Sequence, residues 1–287
     1  MEMPMAVELI EVGPRDGLQN EPEFVSTEKK KDLILQLSKS GFRRMETASF
    51  VHPKWVPQMA DAEEVSAYCN ELGITYIALT PNVKALERAL AVGAPQIAVF
   101  VGASSAFNQK NVNRTTDESL EECEALFTRA QQNNVFIRAY VSMAFHCPFQ
   151  GTVTFDEVDH VVKRFVDLGA DEIDIGDTNG QAHPGEVYDM FARLRTAYPS
   201  TTFVAHFHDT SKLALANTYA AMLAGVDKFD TAVGGLGGCP FSPGATGNVA
   251  TEDVLQMMSK MGISTGIHMA PETIAFARSL STRIAGP

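Results

Sequence analysis

Residues 154–175 read TFDEVDHVVKRFVDLGADEIDI, and their pattern decides the fold. Thr154, with Glu157 one turn on, forms a capping-box pair that marks a helix N-terminus. Val158, Val161, Phe165 and Leu168 then recur at helical spacing and give the helix one apolar face. Gly169 supplies the stop, and a short β-rich run follows at 172–175. Another such run, 135–144, lies just upstream, so the segment reads strand, helix, strand.

Working outward, apolar β-rich runs at 7–12, 44–48, 75–79, 97–101, 202–207 and 228–232 bring the candidate strands to eight. Helical patterns separate them: 28–40, 57–72, 83–92, 185–198, 212–223 and 251–260, with a last one from Pro271 towards Arg283. Gly41, Gly73 and Gly93 close the first three. Thr115 and Glu118 repeat the capping-box signal ahead of Leu120, Cys123, Phe127 and Ala130. No linker, charge block or low-complexity tract interrupts the alternation. The strand count favours a closed (β/α)8 TIM barrel over an open doubly wound sheet, as one domain over 1–287 with a short C-terminal helical extension. In a barrel the loops after the strand C-termini build the active site, so polar residues there are read first.

With 45% hydrophobic, 20% charged and 8% aromatic residues, the composition is that of a globular protein and excludes disordered and collagen-like chains. Surface scaling has a chain of this size bury about three quarters of its extended surface. Lys and Arg total 23 against 35 Asp and Glu, a net charge of −12, which argues against nucleic acid or anionic lipid as a partner. Cys69, Cys123, Cys147 and Cys239 are widely spaced without a CxxC pair, unlike a zinc ribbon or a disulfide framework. The first residues show no signal-peptide pattern, and no apolar stretch reaches the roughly 18 residues of a membrane span. The expectation is a cytoplasmic, non-membrane protein.

Polar clusters stand at the expected strand ends. Gly13-Pro14-Arg15-Asp16-Gly17-Leu18-Gln19-Asn20-Glu21 sets a cation beside an anion at a turn; it suits catalysis, and equally a plain turn in which Asp16 caps its own backbone. In His206-Phe207-His208-Asp209-Thr210, alternation turns both imidazoles with Val204 into the barrel, while Phe203, Ala205 and Phe207 face the helices. Two imidazoles on one face make a metal pair. Glu46 and Asp177 fall at strand ends, where each serves either catalysis or a bland role as partner to Arg15 or helix cap. The glycine-rich loop from Gly234 to Asn248 reads as a moving lid better than as a phosphate cradle, because no GxGxxG or Lys-Ser/Thr signature is present. Within it Cys239 is either an inert thiol or, near a metal and Arg15, a reactive one.

The segments Val12 to Glu21, His206 to Thr210 and Gly235-Leu236-Gly237-Gly238-Cys239-Pro240 together resemble the 3-hydroxy-3-methylglutaryl-CoA lyase family, a branch of the metal-dependent TIM-barrel lyases. The likeness extends through residues 49–58 and 244–253. It implies divalent-metal ligands Asp16, His206, His208 and Asn248, a set suited to Mg²⁺ or Mn²⁺, with Zn²⁺ also able to bind. It implies a retro-Claisen cleavage of an acyl-CoA, giving acetyl-CoA and acetoacetate if the substrate is hydroxymethylglutaryl-CoA. Arg15 then stabilises the enolate, Cys239 protonates it, and His206, Glu46 or Asp177 takes the hydroxyl proton. Gln19 and Ser49 contact the acyl portion. The stretch 102–116, with Asn108 and Lys110, faces the CoA phosphates or is simply a solvated loop.

Where the family reads a small hydroxyl just before Leu-Gly-Asp-Thr, two residues from the Gly, this chain has Asp174, which places a carboxylate toward the substrate. Citramalyl-CoA, or another 3-hydroxyacyl-CoA, is therefore the alternative substrate. The rivals are a Claisen-condensing synthase, which usually carries a further C-terminal regulatory region, and a catalytically silent CoA-binding barrel. A homodimer is the expected assembly.

Overall fold

The computed structural model describes residues 3–237 and 247–282. Strands β1 (Glu8–Glu11), β2 (Arg44–Ser49), β3 (Thr75–Leu79), β4 (Gln96–Gly102), β5 (Phe136–Ser142), β6 (Glu172–Asp177), β7 (Phe203–Phe207) and β8 (Lys228–Thr231) follow one another around a closed barrel. Every neighbouring pair is parallel, including β8 with β1. The fold is the TIM barrel that the alternation predicts.

Helices α1 (Thr27–Lys39), α2 (Ala62–Glu71), α3 (Val83–Ala91), α4 (Ser105–Asn111), α5 (Thr116–Gln132), α6 (Phe155–Leu168), α7 (Pro184–Ala197), α8 (Ala214–Leu223), α9 (Thr251–Met261) and α10 (Pro271–Ser279) cover it. Both expected capping boxes form: Thr115 N–H donates to Glu118 Oε2 at 2.7 Å, and Thr154 N–H to Glu157 Oε2 at 2.7 Å. Each such cap is worth about 1 kcal/mol. Gly169 ends α6 at φ +82°, a left-handed conformation that costs other residues strain. A third box, in which His183 Nδ1 accepts from Glu186 N–H, starts α7, with Pro184 in the first turn. Its imidazole acceptor is not a residue the usual cap signature includes.

Three expectations are corrected. The helix read over 57–72 is a short 3₁₀ turn, Pro57–Met59, and then α2. Within 102–116, read as a loop, Ser104 Oγ accepts the Phe107 N–H and nucleates α4. Lys212 takes φ +59°, so α8 begins only at Ala214. The last helix ends at Ser279, and residues 283–287 lie outside the described part.

One apolar core fills the layer between strands and helices. A smaller one, Ile10, Ile77, Leu79, Ala98, Tyr140 and Val204, lies inside the barrel. Val204 thus points inward and Phe203, Ala205 and Phe207 outward, as alternation requires. Each large apolar side chain so buried contributes roughly 1.5–3 kcal/mol. The rest of the interior carries charge. At the N-terminal rim Arg44 reaches Glu172 at 2.5 Å and Glu8 at 3.4 Å, and Lys228 reaches Glu8 at 2.7 Å. In a TIM barrel that end serves stability and the opposite end carries the chemistry.

Candidate active site

Directly after β1, Gly13–Gly17 forms a single π-helical turn, with Gly17 N–H bonded to Val12 O at 3.2 Å. Such turns are rare and concentrate at functional sites. The wide turn buries Arg15 and Asp16 side by side, with Arg15 Nη1 2.8 Å from Asp16 Oδ1. Asp16 does not cap its own backbone: its carboxylate also accepts Gln19 Nε2 at 2.8 Å and Asn248 Nδ2 at 2.8 Å. Gly237, at φ +121°, makes the last contact possible. A Cβ there would fall 2.7 Å from Asn248 Nδ2.

On β2 the register with β3 shifts between Glu46 and Ala48. Glu46 pairs with Ile77 and Ser49 with Leu79, both partners lying inside the barrel, whereas Ala48 pairs with outward Ala78. A bulge therefore turns Glu46 and Ser49 to the same face, although plain alternation would separate them. Glu46 Oε2 accepts from both Arg15 Nη2 and, at 3.2 Å, the Tyr140 hydroxyl. Ser49 is buried, its Oγ 3.4 Å from the Val51 N–H.

At the end of β7 the His206 and His208 rings lie 5.3 Å apart. His206 Nδ1 is 2.9 Å from Asp230 Oδ2, and His208 Nε2 is 3.8 Å from Asp16 Oδ2. Asp16, His206 and His208 each offer a ligand atom within 4.8 Å of the others. One carboxylate and two imidazoles, with the Asn248 amide adjoining, are donors that suit a divalent cation. A second group, Asp174, His206 and Asp230, is equally close, but Arg138 Nη2 already binds both its carboxylates, at 2.7 and 2.6 Å. The guanidinium is the cation of that cluster.

Electrostatics follow the geometry. Burial pushes the Asp16 carboxyl up, but Arg15, His206 and His208 outweigh it and hold it at about 2. Glu46 is raised by burial despite Arg15. Burial lowers His206, yet the hydrogen bond and charge of Asp230 carry it up to about 9. Burial and the Asp230 charge raise Asp174, whereas Arg138 and His206 overcome burial to hold Asp230 low.

Arg15, Asp16, Gln19, Glu46, His206, His208 and Asn248 therefore converge. Other expected site residues do not. Asp174 points into the barrel as alternation implies, but it is wholly buried and its carboxylate is met by Arg138 at 2.7 Å. Asn108 spends its amide on Gly102 N and O and on Thr116 Oγ1, bracing α4 in place of a phosphate contact. Lys110 is exposed on the same helix. Asp177 accepts the N–H groups of Gln181 and Ala182 at 3.1 and 3.0 Å, bracing the loop ahead of α7, whose own cap is His183; burial, outweighing those bonds, raises it to about 6. Cys239 lies outside the described residues. Arg138, Tyr140 and Asp230 are not among the residues that the strand-end clusters point to. Their signal was alternation, since Arg138 and Tyr140 are two apart on β5 and Asp230 stands opposite His206 on β8.

Fold and site together define a TIM-barrel enzyme with a carboxylate–imidazole centre at the C-terminal ends of its strands. The chain belongs to the HMGL-like family, whose model matches residues 6–275. It is 45% identical over 268 residues to the mitochondrial hydroxymethylglutaryl-CoA lyase of Homo sapiens, covering 93% of this chain and 82% of that protein. The hydroxymethylglutaryl-CoA lyase structure from Pseudomonas aeruginosa superposes with a TM-score of 0.93 at 41% identity, covering 100% of this chain and 95% of that one. An HMG-CoA lyase from Acinetobacter baumannii, solved in complex with coenzyme A and 3-methylmalate, gives 0.88 at 37% identity over 98% and 92% of the two chains.

Proposed function

We propose that this chain, as one catalytic domain, cleaves 3-hydroxy-3-methylglutaryl-CoA to acetyl-CoA and acetoacetate, with Mg²⁺ or Mn²⁺ held by Asp16, His206, His208 and Asn248. The observation that carries the reading is the convergence of Asp16, His206 and His208 beside the Arg15–Glu46 pair, in a chain so similar to curated lyases. A divalent ion bound there supplies Lewis acidity toward substrate oxygens.

The protein's own groups divide the remaining work. Glu46 Oε1 is buried and has no partner among the described residues, and burial raises its carboxyl. It takes the proton of the tertiary hydroxyl. The carbon–carbon bond then breaks, the hydroxyl carbon becomes the ketone of acetoacetate, and the electron pair passes to the thioester as an enolate. Arg15 faces that charge with Nη1 fixed by Asp16, Nη2 by Glu46, and a buried Nε–H that has no partner among the described residues. Preorganised donors of this kind stabilise developing charge without reorganising. Cys239 supplies the proton that turns the enolate carbon into the acetyl methyl group. Gln19 and Ser49 border the acyl portion, and Lys110 meets the CoA phosphates.

No helix among the described residues is long and apolar enough to cross a membrane. A cytoplasmic homodimer completes the proposal. The test is mass spectrometry of products from the purified, reduced protein with Mg²⁺ or Mn²⁺, offered hydroxymethylglutaryl-CoA and citramalyl-CoA separately. Acetoacetate and acetyl-CoA from the first are expected. Cleavage of citramalyl-CoA alone, or of neither, overturns the reading.

A further inference from the structure

We propose that Asp230 and Arg138 are positioning residues: Asp230 fixes the ring of His206 towards the centre, and Arg138 fixes Asp230. The inference rests on the divalent-ion reading given above and concerns this chain's own residues. Strand register sets it up, because Asp230 on β8 lies directly opposite His206 on β7. Asp230 Oδ2 is 2.9 Å from His206 Nδ1, and its other oxygen, Oδ1, is 2.6 Å from Arg138 Nη2. Arg138 is in turn pinned. The same nitrogen bonds Asp174 at 2.7 Å, Nη1 lies 3.7 Å from Glu172, and the guanidinium stacks 4.8 Å above the Tyr140 ring. Tyr140 also meets the His206 ring edge-on at 6.3 Å.

None of these side chains has room to turn, since Arg138, Asp174 and Asp230 are all essentially unexposed. With a carboxylate so close to the cation of Arg138, Asp230 is the acceptor and His206 Nδ1–H the donor. The imidazole is thereby locked with the proton on Nδ1, and Nε2 is the nitrogen left to face Asp16 and His208. A ligand held in one tautomer and one orientation binds without an ordering cost, which is the general use of a carboxylate behind a metal-binding histidine. Asp174, bonded to the same nitrogen of Arg138 as Asp230, is the third arm of this scaffold.

The test uses the full chain, as wild type, Asp230→Asn and Asp230→Glu. Mn²⁺ affinity is read by electron paramagnetic resonance of free ion, and imidazole protonation by ¹⁵N-histidine NMR without Mn²⁺. Asp230→Asn should weaken Mn²⁺ binding about 10- to 100-fold and change the His206 ring-nitrogen signature while leaving that of His208 in place. Asp230→Glu should recover part of the affinity. Wild-type affinity together with an unmoved His206 signature in Asp230→Asn overturns the positioning role alone. If that variant does not fold, the wild-type spectrum at a pH where the His206 ring is neutral decides: a proton on Nδ1 supports the inference, and one on Nε2 overturns it. A wild-type chain that binds no Mn²⁺ overturns the divalent-ion reading, and the positioning role with it.

Discussion

The Asp174 carboxylate lies 2.7 Å from the Arg138 guanidinium, and neither side chain is exposed. Arg138 meets that negative charge inside the barrel, so the carboxylate is spent on the guanidinium and not on an acyl group. Replacing Asp174 with serine should therefore leave the preference between hydroxymethylglutaryl-CoA and citramalyl-CoA unchanged. It should still lower stability by about 1–3 kcal/mol, since Arg138 loses one buried acceptor while keeping Asp230. Urea unfolding and the ratio of kcat/KM for the two thioesters measure both. A changed ratio would return Asp174 to the substrate.

That residue also shows how far sequence could go. The βα alternation located all eight strands to within two residues, and β7 gave its inward face correctly because period-two patterning is a local property. What alternation cannot show is where a strand breaks its own rule. The shift at Glu46/Ala48 reverses the sides expected for Ser49, and only pairing with β3 reveals it. The partner that the Asp16 carboxylate meets beyond the π-turn, Asn248, is likewise far along the chain. Arg138 and Asp230 are 92 positions apart, so their bond, which gives both charges a reason to be buried, leaves no mark in either strand alone.

Arg15 is held by two acceptors on different elements, Asp16 through Nη1 and Glu46 through Nη2. A lysine presents one ammonium at the end of a flexible stem and cannot span both while still offering a donor to an enolate. Arg15→Lys should lower kcat about 10²- to 10³-fold, the scale of losing an oxyanion donor, with a much smaller change in KM. Equal losses in kcat and affinity would argue for a binding role instead.

Asp16 touches Arg15, Gln19 and Asn248 and stands 3.8 Å from His208, so it is the hinge of the proposed ion site. An ion that binds only the folded chain stabilises it by about 2.7 kcal/mol at a hundredfold excess over Kd. Mn²⁺ should accordingly raise the melting temperature of the wild type, and chelation should abolish turnover until Mg²⁺ or Mn²⁺ is restored. Asp16→Asn should lose most of the thermal shift. A full shift in that variant would place the ion elsewhere.

Glu11 sits beneath the same loops and has no cation beside it among the described residues. Its carboxyl accepts the N–H groups of Gly13 at 2.8 Å and Val233 at 2.9 Å and the Thr251 hydroxyl at 2.7 Å, tying β1 to the segment after β8 and to α9. Burial outweighs these bonds and raises its pKa from 4.5 to about 8. The folded chain then keeps a proton that the unfolded chain has already released, so between about pH 4.5 and 8 the unfolded state binds fewer protons and stability falls as pH rises. The contribution is complete below pH 4.5 and lost on passing about 8. Glu11→Gln, which keeps an oxygen for the two N–H groups and has no proton to lose, should remove this dependence. Urea midpoints at pH 5 and pH 8, compared between wild type and variant, check it: the wild type should lose stability over that interval relative to Glu11→Gln, and parallel changes would mean that the three hydrogen bonds keep Glu11 ionised throughout.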